Sequence, residues 1–340
     1  MGYLGLAENR EAFGRPGPAL YDGVGRRIDH LRLSVMSACD LHCRYCRPVG
    51  LRSATVRTRS MTHAMRVELV SWLTEDHGLS KVRITGGEPL LAAGLVDLVA
   101  AIKAGHPELT LVLTTNASRL AFLAEPLRDA GIERVNVSLD TLRADRFASL
   151  TGGDLSEVLG GIEAARRVGF EEIKVNVVAL KGINEDEFAD LLAWGCRQGF
   201  EVRFLEAMPI GPAADFNRRH FLSGAQMRRI VGQCFELTPL PQEFGLTARR
   251  YAVSGRGVSG VCGFITPVSE PFCGQCRRIR VTEHGRLFPC LLDSRSFDLM
   301  PAWRDGHLDT AVAERVLRLA VEDKAPRGTV QATPMVALGG

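Results

Sequence analysis

The hydrophobic pattern divides the chain into two unequal stretches. From about residue 31 to about 210, short aliphatic and β-branched runs alternate with longer segments of helical period. The predicted strands are Leu31–Met36, Val82–Thr85, Thr110–Thr115, Arg134–Leu139, Glu172–Leu180 and Glu201–Ala207. Helices are predicted between them over Thr62–Asp76, Gly94–Ala104, Arg119–Ala130, Asp154–Val168 and Glu185–Gln198. Gly78, Gly131 and Gly169 follow three of these helices, where a left-handed residue commonly closes the last turn. Strand, helix, strand at this spacing predicts repeated βα units around a parallel sheet. The six strands are too few to close an eight-stranded barrel, so the expected fold is α/β, an open, partial barrel of the TIM type over residues 31–210. Beyond residue 211 the pattern changes. Short strands at Tyr251–Ser254, Gly260–Ile265 and Ile279–Thr282 lie between Gly-rich turns, and a polar helix is predicted near Asp309–Val321. This reads as a smaller C-terminal α+β domain over 211–340, with residues 1–30 as an N-terminal arm.

Composition narrows the function. At 340 residues, 46% hydrophobic and 24% charged, the chain can bury a large core, which excludes wholesale disorder. Its longest apolar stretch, Leu90 to Ile102, is broken by Asp97, so no membrane span is expected. The first 30 residues hold no apolar signal core, which predicts a cytoplasmic location. A net charge of +3 with 6% aromatic residues gives no footprint for nucleic acid.

The cysteines carry the chemistry. Nine of them, with no export signal, point to metal or redox work rather than to disulfides. Cys39-x3-Cys43-x2-Cys46 follows the first strand, where the active-site loops of a βα barrel begin. Three neighbouring thiolates can hold a 4Fe–4S cube and leave one iron open. Zinc, with His42 as fourth ligand, is the plainer alternative. Cys273-x2-Cys276-x13-Cys290 again supplies three thiolates, with His284 as the zinc alternative's fourth. Cys196, Cys234 and Cys262 stand alone and read as ordinary packing residues.

CDLHCRYC, with Tyr45 before the third cysteine, resembles the radical S-adenosylmethionine signature, and Gly86-Gly87-Glu88-Pro89 resembles that superfamily's GGEP motif. The resemblance implies a cluster whose open iron chelates S-adenosylmethionine, so that one electron releases a 5′-deoxyadenosyl radical. The second cysteine group, within FCGQCRRIRVTEHGRLFPCL, resembles the C-terminal cluster of the GTP 3′,8-cyclase family of molybdenum cofactor biosynthesis. That match runs from about Arg32 to the chain end, through TTN at 114–116, VNVSLD at 135–140, KVNVV at 174–178 and RFLEAM at 203–208.

By this resemblance Cys39, Cys43, Cys46, Cys273, Cys276 and Cys290 hold two 4Fe–4S clusters, and Tyr45, Gly87, Ser138 and Met208 contact S-adenosylmethionine. Arg32, Arg83, Thr114, Lys174 and the segment Arg278, Ile279, Arg280 contact GTP, with Arg203 in the same cavity. Arg203, Arg32, Arg278 and Arg280 are the candidate catalytic cations. The implied reaction takes hydrogen from C3′ of the ribose and closes that carbon onto C8 of guanine. It implies a low-potential one-electron donor and a downstream pterin synthase, and leaves room for a homodimer. The family usually has Asn where this chain has Arg277, and Gly where it has Ala117. Its Gly-Gly end is matched by Gly339-Gly340, expected to reach into the active-site cavity.

Strand alternation supports an anionic ligand without the resemblance. Arg32, Arg83, Arg134, Lys174, Arg203 and Arg280 each sit beside apolar neighbours in a predicted strand, which turns the cations to the opposite face. In a barrel that face is the lumen, where buried cations need anions. A triphosphate would match them. Arg134, at a strand start, is expected to meet solvent instead. Two rivals weigh less. A radical peptide-modifying enzyme with auxiliary clusters usually has more C-terminal cysteines, and a non-catalytic iron–sulfur or zinc protein that binds nucleic acid would need a basic, aromatic surface.

Overall fold

The computed structural model describes residues 19–47 and 59–328. The tail at Gly339-Gly340 lies outside the described residues.

Six parallel strands, β1 (His30–Ser34), β2 (Lys81–Thr85), β3 (Thr110–Thr115), β4 (Arg134–Ser138), β5 (Glu172–Ala179) and β6 (Glu201–Glu206), pair in chain order. The helices α1 (His63–His77), α2 (Leu95–Gly105), α3 (Leu120–Asp129), α4 (Ala144–Thr151), α5 (Leu155–Val168) and α6 (Phe188–Gln198) alternate with them. Gly78 and Gly169 cap α1 and α5 at φ of 62° and 73°, as glycine does without a Cβ penalty. Leu33, Ile84, Leu113, Val137, Val175 and Phe204 are fully buried in the core that the sheet shares with these helices.

The expected open α/β partial barrel is found, with an addition that no local pattern announced. The C-terminal stretch forms α7 (Ala214–Arg219), α8 (Gly224–Val231), β7 (Glu236–Pro239), β8 (Arg249–Gly255), β9 (Val258–Ile265), β10 (Arg278–Val281), β11 (Arg286–Phe288), β12 (Phe297–Asp298) and α9 (Thr310–Glu322). Of these, β9 adds parallel to β6 and β10 adds parallel to β1. The parallel run therefore reaches eight strands, in the order β10-β1-β2-β3-β4-β5-β6-β9. It does not close, because antiparallel strands β11-β12 and β8-β7 continue it outward at either edge. One cavity takes residues from β1 through β6, β9 and β10 alike, so the sheet curls around a common lumen.

Register decides what fills that lumen. Arg32 on β1 is paired directly with Arg83 on β2 and with Arg280 on β10. Three guanidinium-bearing positions thus form a row across adjacent strands. Like charges directly opposite one another destabilise a sheet unless something offsets them.

Candidate active site

The lumen opens into a cavity of about 340 Å³, within the range of small-molecule sites. Its upper wall is built from the loops that follow the C-terminal ends of the strands, where barrel active sites lie. Cys39, Cys43 and Cys46 come from the loop after β1. The GGEP turn after β2 packs against that loop: Gly87 N–H donates to Met36 O at 2.6 Å and Glu88 N–H to Ala38 O at 2.8 Å. A Cβ on Gly86 or Gly87 would collide with those same backbone segments. The two glycines therefore serve a backbone-to-backbone approach that sets the cysteine loop in place.

Cys273, Cys276 and Cys290 line the opposite side of the same cavity. His42 is exposed and His284 makes an exposed contact with Ser60, and neither lines the cavity. Both candidate fourth ligands for zinc are thereby placed elsewhere. Tetrahedral zinc at about 2.3 Å would draw thiolates within about 4 Å of each other. Among the described residues, no three Cys, His, Asp or Glu side chains converge as a single ion requires. Two carboxylates also reach the cavity, but both are committed to other donors. Glu88 accepts from Thr115 Oγ1 at 2.6 Å, Asn116 N at 2.7 Å and Leu90 N at 3.0 Å. Glu206 accepts from Val268 N at 2.7 Å, Ser269 N at 3.0 Å and Gly224 N at 3.0 Å. What remains for a metal is two sets of three soft thiol donors, which fits iron–sulfur cubes with an open iron each.

The first triad lies in apolar and acidic surroundings. Burial, then neighbouring Glu88 and Asp40, pushes the Cys39 thiol up to about 11. Burial pushes Cys46 up to about 12, and burial with Asp140 carries Cys43 higher still. Tyr45 O–H donates to Asp140 Oδ2 at 2.7 Å, and Asp140 also accepts from Val178 N at 2.8 Å. Burial lifts Asp140 to about 6. Tyr45, Gly87, Ser138 and Met208 all line this part of the cavity.

The second triad lies among cations. Burial opposes ionisation of Cys276, yet Arg278 and Lys324 bring it down to about 6. Arg32, Arg83, Arg203, Arg278 and Arg280 line this half, as does Thr114, whose Oγ1 accepts from Arg83 Nη1 at 3.4 Å. Burial, then repulsion from Arg278, pulls the Arg32 guanidinium down to about 10. Burial, then repulsion from Arg32, holds Arg83 and Arg280 well below their ordinary range. Arg32 Nε is buried without a partner, and so is Oδ1 of Asn176 on the facing wall. An unpaired buried donor and acceptor at one cavity is a strong reason to expect a polar ligand there.

Other expected contacts sit differently. The Lys174 ammonium pairs with Glu172, two residues back on the same face of β5, and does not line the cavity. Arg203 reaches the cavity with its Nε held 2.6 Å from Glu201 Oε1, again two residues back. The Ile279 side chain is in the core, on the face opposite Arg278 and Arg280. Arg134 pairs at 3.7 Å with Glu171 and stays outside. Arg277, in the position where Asn is usual, turns away from the cavity. Its Nε donates to Oδ1 of buried Asp29 at 2.7 Å, and its Nη2 pairs with Oδ2. Ala117 has φ of 65°, a left-handed conformation in which glycine carries no penalty. Glu88, Asn116, Asn176 and Glu206 fall within the quoted motifs without a role assigned there, and Lys324 lies outside them, yet all five line the site.

The Radical SAM superfamily profile matches residues 33–195, and the Molybdenum Cofactor Synthesis C profile matches residues 200–330. The chain resembles the structure of SuiB from Streptococcus suis bound to S-adenosylmethionine, with a TM-score of 0.60 at 14% identity. That likeness covers 87% of this chain and 64% of SuiB. It resembles anSMEcpe with bound AdoMet with a TM-score of 0.51 at 15% identity, over 85% and 79% of the two chains. Fold and cysteine loop together define a radical S-adenosylmethionine protein. Among curated relatives, the GTP 3′,8-cyclase of Paenarthrobacter nicotinovorans is 39% identical over 88% of this chain and 87% of its own. GTP 3′,8-cyclase 1 of Pseudomonas aeruginosa is 37% identical over 94% and 98%. The chain belongs to the GTP 3′,8-cyclase family.

Proposed function

We propose that the cavity binds GTP with its triphosphate against the Arg280–Arg32–Arg83 row and joins ribose C3′ to guanine C8. The product is (8S)-3′,8-cyclo-7,8-dihydroguanosine 5′-triphosphate, the first committed intermediate of molybdenum cofactor biosynthesis. The observation that carries the placement is that row: buried Arg280 and half-buried Arg32 and Arg83 in direct register across β10, β1 and β2. No ion pair offsets Arg32 or Arg83 among the described residues, and a polyanion would.

When bound, the clusters on Cys39, Cys43 and Cys46 and on Cys273, Cys276 and Cys290, together with S-adenosylmethionine, supply one-electron chemistry that generates a carbon radical. The chain's own residues do the positioning. Tyr45, fixed by Asp140, and Gly87, Ser138 and Met208 shape the S-adenosylmethionine side. Arg278 and the arginine row hold the phosphates, with Thr114 and Arg203 bordering the ribose. Lys174, paired with Glu172, stands outside this lining. Apolar Leu41, Val178, Leu205, Ile265 and Phe272 close much of the wall and limit water near a reactive carbon centre.

The same reading includes a low-potential one-electron donor, delivery of product to a pterin synthase, and a cytoplasmic setting for both. No helix among the described residues is long and apolar enough to cross a membrane. A homodimer is compatible with it. The test is anaerobic incubation with GTP, S-adenosylmethionine and a reductant. Cyclised nucleotide accompanied by 5′-deoxyadenosine supports the reading; 5′-deoxyadenosine alone contradicts it.

A further inference from the structure

Beside the second triad, two buried cations have no part in the reading above. Arg26, before β1, is 7% exposed, and Lys324, after α9, is 3% exposed. Arg26 Nε pairs with Asp22 Oδ2 at 2.5 Å. Its Nη1 donates to Cys273 O at 2.9 Å and Pro326 O at 3.1 Å, and its Nη2 to Ala325 O at 2.9 Å and Lys324 O at 3.3 Å. Lys324 Nζ donates to Arg278 O at 2.9 Å and also to Pro289 O. No carboxylate makes an ion pair with Lys324 among the described residues; two carbonyls hold its Nζ, and Cys276 and Asp293 lie close enough to feel its charge.

The positions of these carbonyls are not scattered. Cys273 O belongs to the first cysteine of the second triad, Arg278 follows Cys276 by two residues, and Pro289 immediately precedes Cys290. Each thiol-bearing segment is therefore tied by its own backbone to one of two buried cations. The cations are tied to each other as well, through the Arg26 bond to Lys324 O. Glycines at 23 and 328 allow the flanking segments to close onto this knot. A Cβ on Gly328 would stand 3.1 Å from Cys290 Sγ, and one on Gly23 would stand 2.5 Å from Glu322 O. Charge-assisted bonds to carbonyls are stronger than neutral ones, and an arginine fork fixes direction as well as distance.

We propose that Arg26 and Lys324 form a two-cation brace that sets the spacing of Cys273, Cys276 and Cys290, making them positioning residues for the second cluster. The arrangement joins residues 22–26, the triad and the segment 324–328 into one unit. It rests on the reading of that triad as cluster ligands. The brace predicts selectivity: loosening it harms the second cluster and leaves the first untouched, because no bond of Arg26 or Lys324 reaches the Cys39–Cys46 loop.

The experiment uses two backgrounds of the full chain, reconstituted anaerobically. In one, Cys39, Cys43 and Cys46 are all changed to Ala, so that only the second cluster loads; in the other, Cys273, Cys276 and Cys290 are. Arg26→Lys and Lys324→Met are placed in each, and the rate of iron extraction by a chelator is followed by absorbance. The brace predicts extraction about tenfold faster in the second-cluster background and little changed in the first-cluster background, in line with the usual effect of residues that orient metal ligands. Unchanged rates in the second-cluster background overturn it. Equal acceleration in both backgrounds overturns it too, since that is the mark of general destabilisation. Arg26→Lys keeps the charge and most of the volume, so it decides the matter if Lys324→Met does not yield folded protein. If the second-cluster background without further change takes up no iron, the ligand reading itself fails, and the brace with it.

Discussion

The two cysteine triads share a stoichiometry and differ in almost everything around it. Burial pushes the thiols of Cys39, Cys43 and Cys46 up, helped at Cys39 by Glu88 and Asp40 and at Cys43 by Asp140. Cys276 sits beside Arg278 and Lys324, which overcome its burial and favour the thiolate. The cavity is thus sorted by charge. Its acidic half suits a ligand that carries a sulfonium and an ammonium, and its basic half suits a triphosphate. Three cysteines state only that a cluster with an open iron can be held; the charges nearby state which molecule that iron can meet.

Breaking either triad should give the largest effect, and opposite phenotypes would confirm the division. Cys43→Ala should abolish cleavage of S-adenosylmethionine altogether. Cys276→Ala should retain cleavage under strong reductant while losing cyclised nucleotide, with iron content falling by about half in each case. If Cys276→Ala keeps the wild-type iron content, its triad does not hold a cluster.

The arginine row comes next. Charge-assisted bonds to phosphate are worth about 1.5–3 kcal/mol each, so Arg83→Ala or Arg280→Ala should weaken GTP binding by about 10- to 150-fold. Guanosine binding should hardly change. Lys174→Ala should cost only several-fold, because Glu172 already holds that ammonium outside the cavity wall. Calorimetry with the two ligands measures both losses; equal losses for GTP and guanosine would remove these residues from a phosphate site.

The acidic half makes the smallest prediction, and it concerns pH. Burial raises Glu88 to about 7 against its three hydrogen bonds, from an ordinary 4.5. A raised carboxyl pKa means the folded chain binds more protons than the unfolded chain between those values. Stability of cluster-free protein should therefore fall as pH rises from about 4.5 to about 7, by up to a few kcal/mol. Glu88→Gln should flatten that slope in urea unfolding at several pH values. A slope identical to that of the parent would show Glu88 ionised throughout.

Much of this arrangement could be read from the chain. The βα alternation and the capping glycines gave β1 to β6 to within a residue or two, because each is a local pattern. The addition of β9 to β6 and of β10 to β1 was not legible, since the β10 pairing joins residues about 250 apart and nothing local encodes such a partner. Helix α4 escaped because its eight residues carry too short an apolar face to show a period. The cysteine spacings were plain, but their electrostatic contrast depends on Asp140, Glu88 and Lys324, which are distant in sequence. One missed signal was present. Glu172 precedes Lys174 by two residues and Glu201 precedes Arg203 by two, and in a strand that spacing puts both charges on one face. Reading those pairs would have separated cations already matched from Arg32 and Arg83, which are not.

The central claim is that one charge-sorted cavity brings the two ligands together so that a hydrogen atom passes between them. GTP deuterated at C3′, turned over anaerobically with S-adenosylmethionine, tests it most directly by mass spectrometry. The account predicts deuterium in 5′-deoxyadenosine, one atom for each cyclised nucleotide formed. Unlabelled 5′-deoxyadenosine alongside cyclised product would contradict it.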